Sequence, residues 1–292
     1  MRPILFLVYL FFPLLAFPQV EVHHKRLKVQ QSFKLDHRLP EGSGLEAWNG
    51  RLWAHNDSGA SMLFAIDTVN GNIIEEFRLK STVNKDWEDL TQDSLYFYLG
   101  DTGNNAGKRD LLNILRIEKQ SLIRHAAKID TIAFSWPEVR DGEKMSKINF
   151  DCEAFIIMED SLYLFTKEYK ENRGTRVFSI PAVPGKYVAH YKNKLETNVL
   201  VTGATFDKKK KKLVLCGYNL WLRPFLLVFD DVDSKNLFCC DYTRIKLRLR
   251  FRQIEGIASF DGLNYYLISE AFHFWFFHRR PALHRADIRS AD

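Results

Sequence analysis

The stretch D-W-E-D-L-T-Q-D-S-L-Y-F-Y-L-G-D-T-G-N-N, residues 86 to 105, places acidic residues at both ends of a β-hairpin pattern. Between them lie a short strand, a polar turn and a second, strongly apolar strand. Similar hairpins recur along the 292-residue chain, and the five units begin at Ser43, Trp87, Cys152, Thr202 and Ile254. Recurrence in one register is typical of a repeat protein, so the hairpin is its structural unit.

Further strand-like runs complete each unit. A third strand follows every hairpin, as in M-L-F-A-I-D and R-V-F-S-I-P, and a fourth follows the first four hairpins. Four antiparallel strands per unit, without long amphipathic helices, predict an all-β fold, a closed β-propeller of about five blades over residues 25–290. A two-sheet sandwich would not explain the shared register. A sixth blade in the longer gap between Trp87 and Cys152 stays open.

The ends of the chain predict how the ring closes. The fifth unit stops after its third strand, at Ile288, whereas the strand-like residues 25–35 have no unit of their own. We predict that this N-terminal strand completes the last blade by pairing with the strand that contains Leu283. Closure of this kind removes an exposed sheet edge.

Residues 1–19 contain one Arg, an apolar run broken by Pro13, and the small residue Ala16. This pattern predicts a signal peptide and hence a secreted or periplasmic protein, with an uncleaved N-terminal anchor as the alternative. The cysteines lack C-x-x-C spacing and indicate neither a disulfide framework nor a zinc site; they are Cys152, Cys216, Cys239 and Cys240.

The chain carries a formal net charge of +6, concentrated at 208–212 and 244–252. Basic patches can bind nucleic acid or an anionic surface. However, the first segment has the position of a hairpin turn, and the second alternates charged and apolar residues as a half-exposed strand does. We therefore expect solvated edges, no nucleic-acid partner and a monomeric protein.

The repeated acidic residues converge at one end of a propeller. In an antiparallel hairpin the start of the first strand and the end of the second lie together, and the first strand of each blade lines the central channel. We call this end the mouth. The predicted strand entries are Ser43, Glu88, Glu153, Gly203 and Glu255, and the predicted exits are Asp57, Asp101, Lys167, Tyr218 and Glu270.

Several carboxylates around one channel repel each other unless they are protonated or bridged by a cation. Oxygen ligands without paired His or Cys favour Ca²⁺, with Mg²⁺ or Mn²⁺ as alternatives. We predict Glu88, Glu153, Glu255 and Asp101 as metal ligands. We place Asp57, Asn104, Tyr218 and Glu270 at the ligand-binding mouth. The ordinary alternatives are that D-S-G and D-T-G-N-N are turns in which Asp accepts backbone hydrogen bonds, and that Lys167 is a built-in counter-charge.

These motifs resemble a family of proteins. P-E-G-S-G-L, H-N-D-S-G, D-W-E-D-L, G-D-T-G-N-N, F-D-C-E-A-F, V-T-G-A-T-F-D and Q-I-E-G-I-A are similar to those of secreted bacterial propeller proteins, largely uncharacterised, that are related to the esterase-like phytase propellers. The resemblance covers residues 35–290. It implies a propeller with an acidic, calcium-associated mouth, and it implies no substrate.

Two classes of function are compatible with this sequence. In the first, the mouth binds a small molecule, a glycan or a protein without chemistry. In the second, a cation activates water for hydrolysis of a phosphate ester, ester or lactone, one of Glu88, Glu153 or Glu255 acts as general base, and Lys167 or His55 stabilises negative charge. The aromatic and His-rich segment 272–284 is either a binding platform beside the mouth or part of the blade packing.

Overall fold

A computed structural model describes residues 20–292 apart from 81, 138, 141–142, 145–150, 170–173, 236, 239–240 and 275–276. The predicted signal peptide, the pair Cys239 and Cys240, and Trp275 therefore lie outside the described residues. Cys152 and Cys216 are buried free thiols. None of the helices in the described part of the chain is long and apolar enough to span a membrane.

The predicted β-propeller is confirmed. Each of its five blades contains four antiparallel strands, and the blades are numbered here I to V from the first repeat unit. Blade I comprises Gly42–Trp48, Arg51–Asn56, Met62–Ile66 and Ile73–Arg78; blade II comprises Leu90–Gln92, Tyr96–Asp101, Leu112–Glu118 and Ile129–Ser135. Blade III comprises Cys152–Met158, Ser161–Thr166, Gly174–Pro181 and His190–Glu196; blade IV comprises Leu200–Asp207, Lys212–Tyr218, Pro224–Phe229 and Tyr242–Leu247. Blade V comprises Ile254–Ser259, Asn264–Ser269, Ala282–Asp287 and Gln31–Lys34.

The N-terminal strand closes the ring as predicted, although only part of it does so. Gln31–Lys34 pairs antiparallel with Ala282–Asp287, and Phe33 lies opposite Leu283. The preceding strand, Val22–Leu27, instead pairs in parallel with the outer strand of blade IV, Tyr242–Leu247. The N-terminal segment therefore spans two blades and covers an edge of each.

The described residues of the long gap after Trp87 form no sixth blade. Blade II contains a short helix, Lys119–Ile123, and gains a fifth, parallel edge strand, Gly185–Val188. Two small ribbons lie in the connections. Val139–Arg140 pairs with Glu143–Lys144 between blades II and III, and Phe272–Phe274 pairs with Phe277–Arg279 between the second and third strands of blade V. A 3₁₀ turn, Ile288–Ser290, follows the last strand.

The core lies in the seams between blades. Each pair of neighbouring blades shares one cluster of buried apolar side chains, and the seam between blades V and I has its own cluster around Leu45, Ala258 and Ile268. The innermost strands are buried along most of their length, as in the pattern of Cys152–Met158. This packing fixes the inner strand ends, and hence the mouth, against one another.

Candidate functional site

An irregularity recurs where each inner strand begins. In blades I, III, IV and V the pairing register shifts by one residue, which leaves Gly44, Glu153, Thr202 and Glu255 unpaired as β-bulges. In blade II, Gly100 N–H donates to Asp89 O at 3.0 Å while Glu88 N–H donates to Gly100 O at 2.9 Å. Both Glu88 and Asp89 therefore lie opposite Gly100, and Asp89 is the bulge residue of blade II. Asp89, rather than Glu88, is the structural equivalent of Glu153 and Glu255.

Asp89 has a structural role at the axis. Its side chain is fully buried, and Oδ2 accepts backbone N–H bonds from Phe155 at 3.1 Å and Ala204 at 3.3 Å. Oδ1 accepts a third bond, from Leu90 N–H at 2.8 Å. The bulge carboxylate of blade II thus connects the inner strands of blades II, III and IV. Glu88, one residue earlier, is left to face the mouth.

Three buried carboxylates from blades II and III meet at the mouth. One oxygen from each of Glu88, Asp151 and Glu153 lies within 4.8 Å of the others. Burial raises the pKa of Glu88 well above its usual value, and the charges of Glu153 and Asp151 raise it further. The pKa of Asp151 rises to about 9 for the same reasons, burial first and Glu153 second. We call these three residues the carboxylate triad.

Backbone details bring the triad together. Gly103 of the D-T-G-N-N loop has no side chain, and a Cβ there would lie 2.3 Å from Glu88 Oε1 and 2.2 Å from Asp86 Cγ. Asn104 N–H donates to Asp151 Oδ1 at 2.8 Å. The second oxygen, Asp151 Oδ2, is buried without a hydrogen-bond partner among the described residues. A buried oxygen without a donor beside two further carboxylates is a position that favours a cation or a proton.

Lys167 provides positive charge at the edge of the triad. Its Nζ lies 2.9 Å from Glu153 Oε2, and both side chains are almost completely buried. Burial alone would lower the pKa of Lys167, but Glu153 and Glu255 together hold it well above its usual value. The ammonium group also lies 5.5 Å from the ring centroid of Tyr169 and 5.7 Å from that of Tyr218. Lys167 therefore stays protonated, and its ammonium group lies between Glu153 of the triad and Glu255.

Glu255, Tyr218 and Glu270 lie on the other side of Lys167. Burial raises the pKa of Glu255 well above its usual value, although Lys167 partly offsets this. Burial also raises the pKa of Glu270, to about 7. Gln253 Nε2 donates to Glu270 Oε1 and, at 3.4 Å, to Tyr218 Oη. This half of the mouth is a wall of hydrogen-bonding side chains that includes two carboxyl groups with raised pKa values.

The remaining predicted residues surround these two groups. Asp101 pairs with Arg109 at 3.0 Å and is not part of the triad. Asn104 holds its loop through side-chain bonds to Arg109 N and O. Burial, followed by Glu41, raises the pKa of Asp57 to about 8. His55 is fully buried, and burial lowers its pKa to about 4, so it is neutral at pH 7.

The His-rich segment separates into parts. His284 is buried in blade V, where its ring lies 2.7 Å from Ser32 Oγ and 3.2 Å from Ser269 Oγ. Burial lowers its pKa to about 3. This histidine therefore packs the ring-closing sheet and does not belong to a surface platform. Phe272–Phe274 and Phe277–Arg279 form a small ribbon beside the mouth end of blade V.

Sequence reasoning missed Asp151 as a member of the triad. A signal was present in the spacing D-x-E, which occurs as D-W-E at 86–88 and as D-C-E at 151–153. Both motifs precede an inner strand, so each places two carboxylates at the mouth. The bulges shift the two motifs by one residue relative to each other. A comparison of equivalent positions in the repeat units therefore does not show that Asp151 belongs with Glu88.

Fold and site together define a five-bladed propeller with a buried carboxylate cluster at its mouth. No protein-family model matches the chain, and no curated protein matches it. Among solved structures, an exo-β-1,3-galactanase from Phanerochaete chrysosporium with β-1,3-galactotriose aligns over 91% of this chain at 8% identity and a TM-score of 0.56. The same enzyme with galactose gives 7% identity, 90% coverage and a TM-score of 0.54.

The chain spans 65% and 64% of those two galactanase chains. The WD40 repeats of RRP9 align over 90% of this chain and 99% of theirs, at 8% identity and a TM-score of 0.46. At these identities, the likeness to the galactanase concerns the fold.

Proposed function

We propose that this chain is an exported ligand-binding propeller whose mouth holds a divalent cation, Ca²⁺ first, on Glu88, Asp151 and Glu153. The observation that carries the proposal is the meeting of three buried carboxylate oxygens within 4.8 Å. Lys167 supplies one positive charge to a cluster with three potential negative charges, and Asp151 Oδ2 lacks a donor. A divalent cation would neutralise the remainder.

The type of ligand atom supports calcium over transition metals. Carboxylate oxygens without His or Cys suit Ca²⁺, which takes six to eight oxygens at flexible geometry. Water and ligand oxygens would complete the coordination. Mg²⁺ and Mn²⁺ are weaker candidates, because Mg²⁺ demands near-octahedral geometry and gives up water reluctantly. Asp101 and Glu255 are replaced by Asp151 in this proposed ligand set.

Glu88→Gln is the variant that tests the site. Glu153→Gln would also remove the partner of Lys167, whereas the structure shows no ion pair of Glu88 with a described residue. We expect Glu88→Gln to weaken Ca²⁺ binding, measured by calorimetry, by more than about tenfold, which corresponds to about 1.4 kcal/mol. In chelator at alkaline pH the same variant should be more stable than the wild type, because an amide cannot ionise beside Asp151 and Glu153.

Glu255→Gln is the matched control, since Glu255 is equally buried and has a raised pKa but lies outside the triad. It should bind Ca²⁺ as the wild type does. Equal loss in both variants would favour a wider, shared site, and an unchanged affinity in Glu88→Gln would contradict the proposal.

A bound divalent cation together with Lys167 would balance the three potential negative charges of the triad, which favours a polar, uncharged ligand such as a glycan or small molecule. Glu255, Tyr218 and Gln253 offer hydrogen-bond donors and acceptors there. Tyr169, 48% exposed, adds an aromatic face above Lys167. We propose binding rather than turnover as the primary activity.

One observation favours the hydrolase as a second candidate. Glu255, whose pKa burial raises, and Glu153, which is ion-paired with Lys167, flank the same ammonium group, and two carboxyl groups in different environments are suited to acid–base chemistry. A panel of phosphate esters, esters and lactones, assayed with Ca²⁺ and with chelator, tests it. Turnover that Glu255→Gln abolishes while Ca²⁺ binding persists would support the enzyme.

Export is part of the proposal and rests on residues 1–19 and on the resemblance to secreted bacterial propellers. Mass spectrometry of the native protein should find a new N-terminus between residues 16 and 22. Recovery of Met1 in a membrane fraction would favour the anchored form.

A further inference from the structure

Blade IV carries an aromatic and basic surface on the mouth face that the proposed mouth site does not use. It consists of the loop 219–223, the connection 248–253 and the end of strand Val22–Leu27. The strand pairings place all three at the mouth end, because Tyr218 pairs with Leu200 and Leu27 with Leu247. We call this region the blade IV rim.

The loop 219–223 presents apolar side chains to solvent on a fixed backbone. Leu220 is 50% exposed and Trp221 is 76% exposed, the highest fraction among the large apolar side chains described. Asn219 Oδ1 accepts N–H bonds from Trp221 at 3.0 Å and Arg223 at 3.1 Å, which closes the loop on itself. The exposed tip is therefore held in place rather than left loose.

The loop 219–223 and the connection 248–253 are hydrogen-bonded to each other, and each contains a residue with a strained backbone. Arg252 N–H donates to Leu222 O at 3.2 Å. Leu222 and Phe251 adopt left-handed backbone conformations, with φ of 51° and 54°, which bulky residues rarely occupy. Strain of this kind persists where the surrounding structure enforces it, and it concentrates at functional surfaces. Trp221 precedes Leu222 directly in the chain, and Phe251 is itself 45% exposed.

Basic side chains line a groove next to the loop 219–223. A groove of about 420 Å³ is lined by Leu247, Leu249 and five cationic residues, Arg26, Arg223, Lys246, Arg248 and Arg250. Arg248 pairs with Asp292 at 3.2 Å, and the other four form no ion pair with a described residue. The rim thus combines exposed apolar side chains with a surplus of positive charge.

We infer that the blade IV rim docks the propeller on an anionic lipid surface. Trp residues favour the membrane interface, and Arg or Lys beside them attract anionic headgroups. An anionic polysaccharide or a nucleic acid would satisfy the cations but offers no apolar phase for Leu220 beside Trp221. A lipid surface satisfies both, and docking in this orientation would turn the mouth towards the membrane.

Vesicle co-sedimentation of the folded chain tests the inference, with chelator present so that a bridging cation cannot contribute. We expect binding to vesicles of equal parts phosphatidylglycerol and phosphatidylcholine, and little binding to phosphatidylcholine alone. Trp221→Ala and the double variant Arg223→Ala/Arg250→Ala should each weaken binding. For the double variant we expect about fivefold per arginine, from the usual contribution of one basic residue near an anionic surface.

The opposite end of the propeller supplies a matched control. There the hairpin tips of blades IV and V carry Lys208, Lys209 and the 48% exposed Phe260. Lys208→Ala/Lys209→Ala/Phe260→Ala removes similar charge and apolar surface, and should leave vesicle binding unchanged.

Three results would overturn the inference. The first is absence of binding to the anionic vesicles, and the second is equal loss in the rim and control variants. The third is tighter binding to a sulfated polysaccharide or single-stranded DNA that Trp221→Ala does not alter, which would make the rim a general polyanion site. Thermal unfolding of each variant checks that the substitutions leave the fold intact.

Discussion

Lys167 Nζ lies 2.9 Å from Glu153 Oε2, and both side chains are almost entirely buried where blade III meets the mouth. Glu153 also belongs to the carboxylate triad, so one carboxylate is shared between a fixed ammonium group and the proposed cation site. The protein therefore carries part of the neutralising charge in its own sequence. The rest must come from protons or from a metal.

Loss of this buried pair should be costly. We predict that Lys167→Met lowers the free energy of unfolding by about 3–5 kcal/mol in chelator, because Glu153 is left buried without its partner. Ca²⁺ should stabilise this variant more than the wild type, because the cation then supplies all the positive charge beside the triad, including the charge that Lys167 supplied. The double variant Lys167→Met/Glu153→Gln should recover part of the loss. A Lys167→Met protein as stable as the wild type would mean that the pair is unimportant for stability.

Stability should depend on pH in a direction opposite to ordinary acid denaturation. The pKa of Asp151 is raised from 3.8 to about 9, mainly by burial, and that of Glu88 is raised too, so the folded state holds protons that the unfolded state releases. This contribution is complete below the unfolded pKa and is lost as pH rises through the folded pKa, by up to about 1.4 kcal/mol per pH unit for each group.

In chelator we therefore expect the free energy of unfolding, measured by urea titration, to fall as pH rises from near 4 towards 9. Ca²⁺ should reduce this fall, because it replaces the protons, and its affinity should rise with pH. Asp151→Asn should flatten the profile. Identical pH profiles with and without Ca²⁺ would contradict a metal at the triad.

Asp89 should be structural rather than functional. The Asp89 carboxylate accepts three backbone N–H bonds, one each from blades II, III and IV. In Asp89→Asn an amide NH₂ group would face some of these N–H donors, and two donors cannot bond each other. We predict a loss of about 2–4 kcal/mol of stability with Ca²⁺ affinity retained in the folded protein. Asp67→Asn is the control, since Asp67 accepts its 2.6 Å bond from Val69 N–H in an exposed turn. A larger effect of Asp67→Asn would refute this role for Asp89.

The fold was predictable because it depends on repetition. Alternating hairpins in one register predict strands, and the unmatched N-terminal strand predicts closure opposite Leu283, which the pairing of Phe33 confirms. The split of that segment was not predictable. Val22–Leu27 pairs in parallel with Tyr242–Leu247, and a short polar strand of this kind has no sequence pattern that selects one outer edge over another.

The site was predictable only in part, because a bulge changes which face a residue occupies. Glu88 and Glu153 share a place in the sequence motif, but the unpaired residue in blade II is Asp89. Asp89 then turns to backbone donors, whereas Glu88 reaches Asp151 from a different direction. Local spacing does not reveal such bulges, since they depend on how a strand meets its neighbours.

The closing strand should be more important for stability than the strand beside it. A chain that begins at residue 36 lacks both Val22–Leu27 and Gln31–Lys34, whereas one that begins at residue 29 lacks only the first. The shorter chain opens the ring and also loses the packing of half-buried Phe33 and of buried Leu35, the latter worth about 1.5–3 kcal/mol.

We expect the chain from residue 36 to aggregate through its open edge, as seen by size-exclusion chromatography, and the chain from residue 29 to remain monomeric with a lower melting temperature. The reverse order would show that the parallel strand, not ring closure, stabilises blades IV and V.

Gly103 should control the site without taking part in any binding contact of its own. A Cβ at this position would lie 2.3 Å from Glu88 Oε1, and the backbone there does not require the left-handed region, so Gly103→Ala acts through sterics alone. We predict that it displaces the Glu88 carboxylate, weakens Ca²⁺ binding by more than about tenfold, and destabilises the protein by about 1–3 kcal/mol.

Gly50→Ala is the matched control. Its Cβ meets nothing within 4 Å, but its φ of +70° makes the substitution cost about 1–2 kcal/mol. Both variants should therefore lose similar stability, measured by thermal unfolding in chelator, while calorimetry should show lost Ca²⁺ affinity in Gly103→Ala alone. If Gly103→Ala binds Ca²⁺ as tightly as Gly50→Ala does, the role proposed for Gly103 in holding the Glu88 carboxylate at the cation site is wrong.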